Sequence, residues 1–217
     1  METTRKTQAF TLLELLIVMG IVATLASLSA PAIQSIYGAN STNRAIGDLS
    51  GSLEMARAYA QANHTYVRVG FYTLSPSATH PSGAVVVAPM YSVDGSETAA
   101  MTSANWKPLS RPVFLGNCVP KGSLNATSPD TSADSDPFSA ASSFGVLALP
   151  IAEAGSVSFS YFVQFTPAGE ACLKADQPVR YVKIGMAPLT GKAAESFLLR
   201  LSGINGAMTV LRQENMQ

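Results

Sequence analysis

The stretch from Phe10 to Ile33 is apolar except for one charge, Glu14. As a helix it would be about 36 Å long, enough to cross a hydrocarbon core of roughly 30 Å. Arg5 and Lys6 precede it, and no further basic residue follows until Arg44. That asymmetry keeps the first residues on the cytoplasmic side and sends the rest outward. The carboxylate is the anomaly. An acidic side chain at the centre of a spanning helix costs roughly 2.5–3.5 kcal/mol on insertion scales. Three ordinary readings compete: a secretory signal with "SLSA" as its cleavage region, a plain signal anchor, and a core helix of a soluble domain. Pro31 directly after "SLSA" disfavours the first, Glu14 is unneeded by the second, and the length of the run disfavours the third.

The remaining chain is different in kind. Beyond Pro31 the helix resumes and turns amphipathic, with Ile46, Leu49, Leu53, Ala56 and Ala60 on one face. "YGANSTN" at Tyr37–Asn43 is rich in weak helix formers and predicts a loosening. Asn63 is the expected stop. Strands follow: "TYVRVGFYTL", "GAVVVAPMYSV", "RPVFLGN", "SFGVLALP", "GSVSFSYFVQFTPAG", "VRYVKIGMAPL", "SFLLRLSG" and "AMTVLRQ". In the fifth, Val157, Phe159, Tyr161, Val163 and Phe165 alternate onto one predicted face. Asp94–Ser110 and the Ser/Asp-rich Pro120–Ser143 read as loops. The fold class is α+β: a long amino-terminal helix packed on a mainly antiparallel sheet domain. The divisions are 1–9, a leader; 10–33, an apolar helix; 34–63, its amphipathic continuation; and 64–217, a β-rich globular domain.

The composition excludes several functions. The charged fraction of 13% is low for a globular protein, and the formal net charge is zero. Neither suits a nucleic-acid binder. Arg200 and Arg212 could add to a small basic patch, without a cluster to support it. No phosphate-binding loop, nucleophile elbow or dinucleotide fingerprint occurs. His64 and His80 lack a spaced partner for a metal motif. Asp130, Asp134 and Asp136 could offer oxygen ligands to calcium or be a solvated acidic loop. Asn40, Asn63 and Asn125 each begin a sequon. No cofactor, metal or enzymatic activity is expected. Cys118 and Cys172 fit no zinc pattern. In an exported protein they would form a disulfide closing a loop of about 54 residues, with roughly 4 kcal/mol of stabilisation in the chain-entropy model; the alternative is two buried thiols.

The segment "KTQAFTLLELLIVMGIVATLASLSAPAI" resembles the class III signal of type IV prepilins and type II secretion pseudopilins. That family has a basic leader, a small residue at the cut, then Phe-Thr-Leu-x-Glu and an apolar helix. Here the leader is Met1–Ala9, the cut follows Ala9 where the family prefers Gly, and Phe10 becomes the mature first residue. Pro31 falls where the family has a helix-kinking proline. The resemblance implies prepilin peptidase as a partner, methylation of the new amino terminus, and passage through the bacterial inner membrane with the globular domain in the periplasm. Assembly with other pilin subunits into a fibre follows. Glu14 would then pair with a neighbouring subunit's amino terminus and set axial register, since a buried charge is tolerable only when paired. "VQFTPAGEACL", "RYVKIGMAPLTG" and "SGINGAMTVLR" resemble the GspH/FimT-type minor pseudopilins and pilins. They imply a minor subunit, near the tip or in the initiation complex, of a type IV pilus or type II secretion pseudopilus. Rival classes are a pilus-displayed adhesin or DNA-binding subunit and a membrane-anchored periplasmic enzyme.

Overall fold

The structure, a computed structural model, describes residues 12–76, 83–127, 129–139, 144–151, 155–175, 177–189 and 195–212; for 28–39 it describes the backbone alone. Helix α1 spans Leu12–Ala62. The chain divides into two compact units, Met1–Tyr37 and Gly38–Gln217. Tyr37–Asn43 is helical, not loosened as its composition suggested. Thr42 within it and Ala45 and Leu49 just after it are buried, and packing of this kind overrides weak intrinsic propensity. The helix ends as Asn63 N–H bonds Tyr59 O at 3.0 Å and Thr65 N–H bonds Ala60 O at 3.1 Å. His64 takes the left-handed conformation between them, at φ 49. This is a Schellman-type stop with histidine where glycine is usual.

Among the described residues the strands that follow are, in chain order, β1 Val67–Leu74, β2 Ala84–Ser92, β3 Trp106–Pro108, β4 Val113–Gly116, β5 Cys118–Pro120, β6 Leu147–Ile151, β7 Gly155–Phe159, β8 Tyr161–Phe165, β9 Ala171–Lys174, β10 Gln177–Pro178, β11 Tyr181–Pro188, β12 Phe197–Ser202 and β13 Met208–Arg212. A seven-stranded sheet runs β10-β9-β8-β1-β2-β3, with β4 also on β2. A four-stranded sheet runs β13-β12-β11-β5, and β6 and β7 form a separate hairpin. All these strand pairs are antiparallel.

The second half of α1 is the wall shared by both sheets. Ala45, Leu49, Leu53, Ala56 and Ala60 pack with Val67, Val69 and Phe71 of β1, Val163 and Phe165 of β8, Ile184 of β11 and Leu199 of β12. Burying each leucine contributes roughly 1.5–3 kcal/mol. Ile46 is only half-buried and packs at the margin. The far face of the large sheet carries a second core. Val86, Met90, Trp106 and Phe162 are covered there by Leu147, Leu149, Val157 and Phe159 of the hairpin.

Two expectations need correction. The fifth strand candidate is two strands in different sheets: β7 pairs β6, whereas β8 pairs β1. Val157 and Phe159 belong to the hairpin-side core, but Val163 and Phe165 face the helix. The alternation changes face at Ser160, because β8 is sandwiched between two apolar layers and buries residues of both parities. Asp94–Ser110 is not wholly loop either. Trp106 is fully buried and its indole N–H donates to Ala99 O at 3.1 Å, which draws β3 onto the end of β2.

Candidate functional site

Ala9 and Phe10, the expected cleavage pair, lie outside the described residues, as does His80. Glu14 stands in the first turn of α1 and is exposed. Around it the exposure is apolar on every side: Leu12 is 87% exposed, and Leu13, Leu15, Leu16, Ile17, Val18, Met19, Ile21, Val22 and Leu25 are all 52% or more. A helix apolar all round needs an apolar medium or partner helices on all sides. Its polar side chains are turned back on the helix. Thr24 Oγ1 donates to Ile21 O and Ser27 Oγ to Thr24 O, each at 2.8 Å. Such back-bonding lets hydroxyls sit in apolar surroundings. Among the described residues, no helix is long and apolar enough to cross a membrane; the described side chains of the apolar run end at Ser27. Pro31 lies within α1, and its side chain is outside the description.

In the globular domain, Cys118 and Cys172 are buried thiols, not the expected disulfide. Cys118 is on β5 of the four-stranded sheet and Cys172 on β9 of the seven-stranded one. Burial pushes the Cys118 thiol up to about 11, so at neutral pH it is a packed apolar group and not a nucleophile.

The Ser/Asp-rich loop is folded down onto the four-stranded sheet. Arg200 on β12 grips Asp134 with two bonds, Nε to Oδ2 at 2.6 Å and Nη2 to Oδ1 at 3.0 Å. Its guanidinium also lies 3.7 Å from the Tyr181 ring centroid. Lys183 on β11 donates from Nζ to Asn125 Oδ1 at 2.5 Å and to Thr131 O at 3.3 Å. The Asp134 hydrogen bond raises the Arg200 pKa above its ordinary value. Arg200 therefore anchors a loop and does not join Arg212 in a basic patch; Arg212 donates instead to Asn43 Oδ1 at 3.0 Å. Asp130 is held below the ordinary aspartate range chiefly by the Ser132 backbone N–H. Asp136 accepts from the Phe138 N–H at 2.8 Å. Among the described residues no cluster of three or more His, Cys, Asp or Glu is placed to hold a metal ion.

Two turns, one within "VQFTPAGEACL" and one within "SGINGAMTVLR", meet at the end of α1. Gly169 and Gly206 both have positive φ, at 85 and 63. A Cβ on Gly169 would strike Gln61, and one on Gly206 would strike Arg57. Gln61 Nε2 also donates to Ala168 O at 3.2 Å. Backbone conformation requires both glycines, and shape also requires Gly206, where a Cβ would strike the Gly169 carbonyl oxygen as well.

Sequence reasoning passed over Arg68. It is 2% exposed, and its guanidinium lies 4.0 Å from the Trp106 ring and 4.2 Å from that of Phe144. It donates to Gln164 Oε1 at 2.8 Å and Glu97 O at 2.7 Å, while Gln164 donates in turn to Glu97 Oε1. An arginine between Val67 and Val69 reads as an outward position, and no local signal marks it as buried.

Residues 4–30 match a model of the prokaryotic N-terminal methylation motif. No match was found among curated proteins or among solved structures. The motif indicates a prepilin-type substrate of type IV pilus or related secretion systems and implies processing by prepilin peptidase and assembly with other pilins. The α+β architecture of a long helix and antiparallel sheets is compatible with a pilin-like fold.

Proposed function

We propose that this chain is a minor pilin or pseudopilin of the GspH/FimT type. Prepilin peptidase cuts it after Ala9 and the new terminus at Phe10 is methylated. The apolar part of α1 holds it in the inner membrane, with the globular domain in the periplasm, until it enters a type IV pilus or type II secretion pseudopilus. Its place there is near the tip or in the initiation complex. In this reading the chain is a processing substrate and a structural subunit, not an enzyme.

The carrying observation is the methylation motif at residues 4–30 continuing into a helix that is apolar on all sides. Among the described residues, the apolar side chains of Leu12–Leu25 are exposed. A bilayer covers them before assembly and neighbouring helices cover them afterwards. In this reading Glu14 pairs with a neighbouring subunit's amino terminus and so sets axial register, since a buried charge is tolerable when it is paired. The minor-subunit assignment is supported by the Thr166–Gly169 turn and the Gly203–Gly206 hairpin, both packed on the end of α1.

The test is intact mass and amino-terminal sequencing of the full chain made in cells with and without prepilin peptidase. The expected product begins at N-methylated Phe10 only when the peptidase is present. An intact Met1 in both strains, or a start at Pro31, overturns the assignment.

A further inference from the structure

The hairpin joining β12 to β13 sets the phase of the ladder beyond it. Gly206 N–H donates to Ser202 O and Ser202 N–H to Ala207 O, each at 2.8 Å, with Gly206 at φ 63. Two residues thus oppose the single Ser202, a bulge with glycine in its left-handed position. In an antiparallel ladder, residues alternate between exchanging bonds with the partner and pointing away from it. Ser202 bonds toward β13, so Arg200 does too, with Thr209 opposite, and then Leu198 with Leu211. The backbone N–H and C=O groups of Met208, Val210 and Arg212 therefore point out of the sheet. Among the described strands none pairs with that side of β13.

Four other edges among the described strands are guarded by proline. β3, β5, β6 and β10 contain Pro108, Pro120, Pro150 and Pro178, and proline at an edge blocks strand addition. β4 and β7 also lack proline; β4 is only four residues long, and Phe159 of β7 packs against Gly70 of β1. β13 has no proline, and its central Val210 is exposed. The neighbouring wall is low. Arg212 touches α1 at Asn43, and Gly206 touches it at Arg57. The helical stripe joining those two points is Asn43, Gly47, Ser50, Glu54 and Arg57. A Cβ added at Gly47 would meet nothing within 4 Å. Open backbone groups beside a low helix flank make a slot for an extended chain.

We propose that β13 is a docking edge: an extended segment of another polypeptide adds to it as a further strand. Its backbone bonds Met208, Val210 and Arg212, an apolar residue lies over Val210, and a carboxylate reaches Arg212. The acidic residue follows from charge. Arg212 bonds the neutral amide of Asn43, and its cation is left for an incoming anion. Main-chain bonds give such docking its affinity and alternate side chains its selectivity. This edge is independent of the amino-terminal processing, so either reading can fail alone.

The experiment is residue-resolved hydrogen exchange on the full chain in detergent micelles. The probe is a synthetic end-blocked peptide of alternating Thr and Val with one Glu near an end. In the free chain the amides of Met208, Val210 and Arg212 exchange fast, while those of Thr209 and Leu211 are protected. Peptide slows the first three by about tenfold or more. Val210→Pro removes an N–H that bonds no other described strand, so it keeps the melting temperature and abolishes the peptide's effect. Arg212→Glu weakens the Glu-bearing peptide and strengthens its Lys-bearing counterpart. Protection of the three amides in the free chain overturns the proposal. So does peptide that leaves their exchange unchanged, or equal response from a folded Val210→Pro variant.

Discussion

Arg68 shows how much one side chain can carry. Its charge is buried between two aromatic rings and shared with Gln164 and Glu97. Burial lowers its pKa to about 10, with Glu97 pulling the other way. It is still a cation at neutral pH, and it ties β1, β8 and the Glu97–Trp106 segment into one layer. Removing one member of a buried charged set leaves the others uncompensated, at a cost of about 3–5 kcal/mol. Arg68→Ala is expected to lower the melting temperature by about 10 °C, measured by circular dichroism. Arg68→Lys is expected to recover only part of this, since an ammonium cannot stack on two rings and bond in a fork. A melting point within about 2 °C of wild type would refute the account. None of this was legible in "TYVRVGFY". Alternation tells which residues share a face, and it does not tell that both faces are covered.

Elements were more legible than their partners. β1, β2, β11 and β12 lie inside runs of β-branched and apolar residues that announce strands. The assignment of strands to sheets was hidden, because it is decided at single joints. Ser160 is one. Asn117 is the other: it sits at φ 56 between β4, which pairs β2, and β5, which pairs β11. Its N–H donates to Gly83 O and its C=O accepts from Leu189 N–H, each at 3.2 Å. Asparagine tolerates this left-handed conformation, whereas a β-branched residue does not. Asn117→Gly is therefore expected to stay within about 1 kcal/mol of wild type, and Asn117→Val to lose about 2 kcal/mol or more in urea unfolding. Equal stability of the two variants would show that the joint is not strained.

At the scale of the molecule, acid should loosen the surface loops first. Asp94 is held below its ordinary value by the Ser96 N–H and the Ser92 hydroxyl, and Asp130 chiefly by the Ser132 N–H. A carboxylate whose folded pKa is depressed adds stability above its unfolded value, and that stability is lost as pH falls through the folded one. Melting temperature is expected to be level between about pH 7 and 5 and to drop below about pH 4. A flat profile down to about pH 2.5 would contradict it. The methylation motif was legible because it is linear, a run of neighbouring residues. The loop anchored by Arg200 and Lys183 was not, since its partners lie on strands far along the chain. One consequence concerns load. The buried stripe of α1 from Ala45 to Ala60 extends about 22 Å and touches strands of both sheets. Tension drawn along the helix therefore meets this whole length in shear, with every buried contact stretched together. A joint loaded in that way resists as a unit, where one peeled from its end would yield turn by turn.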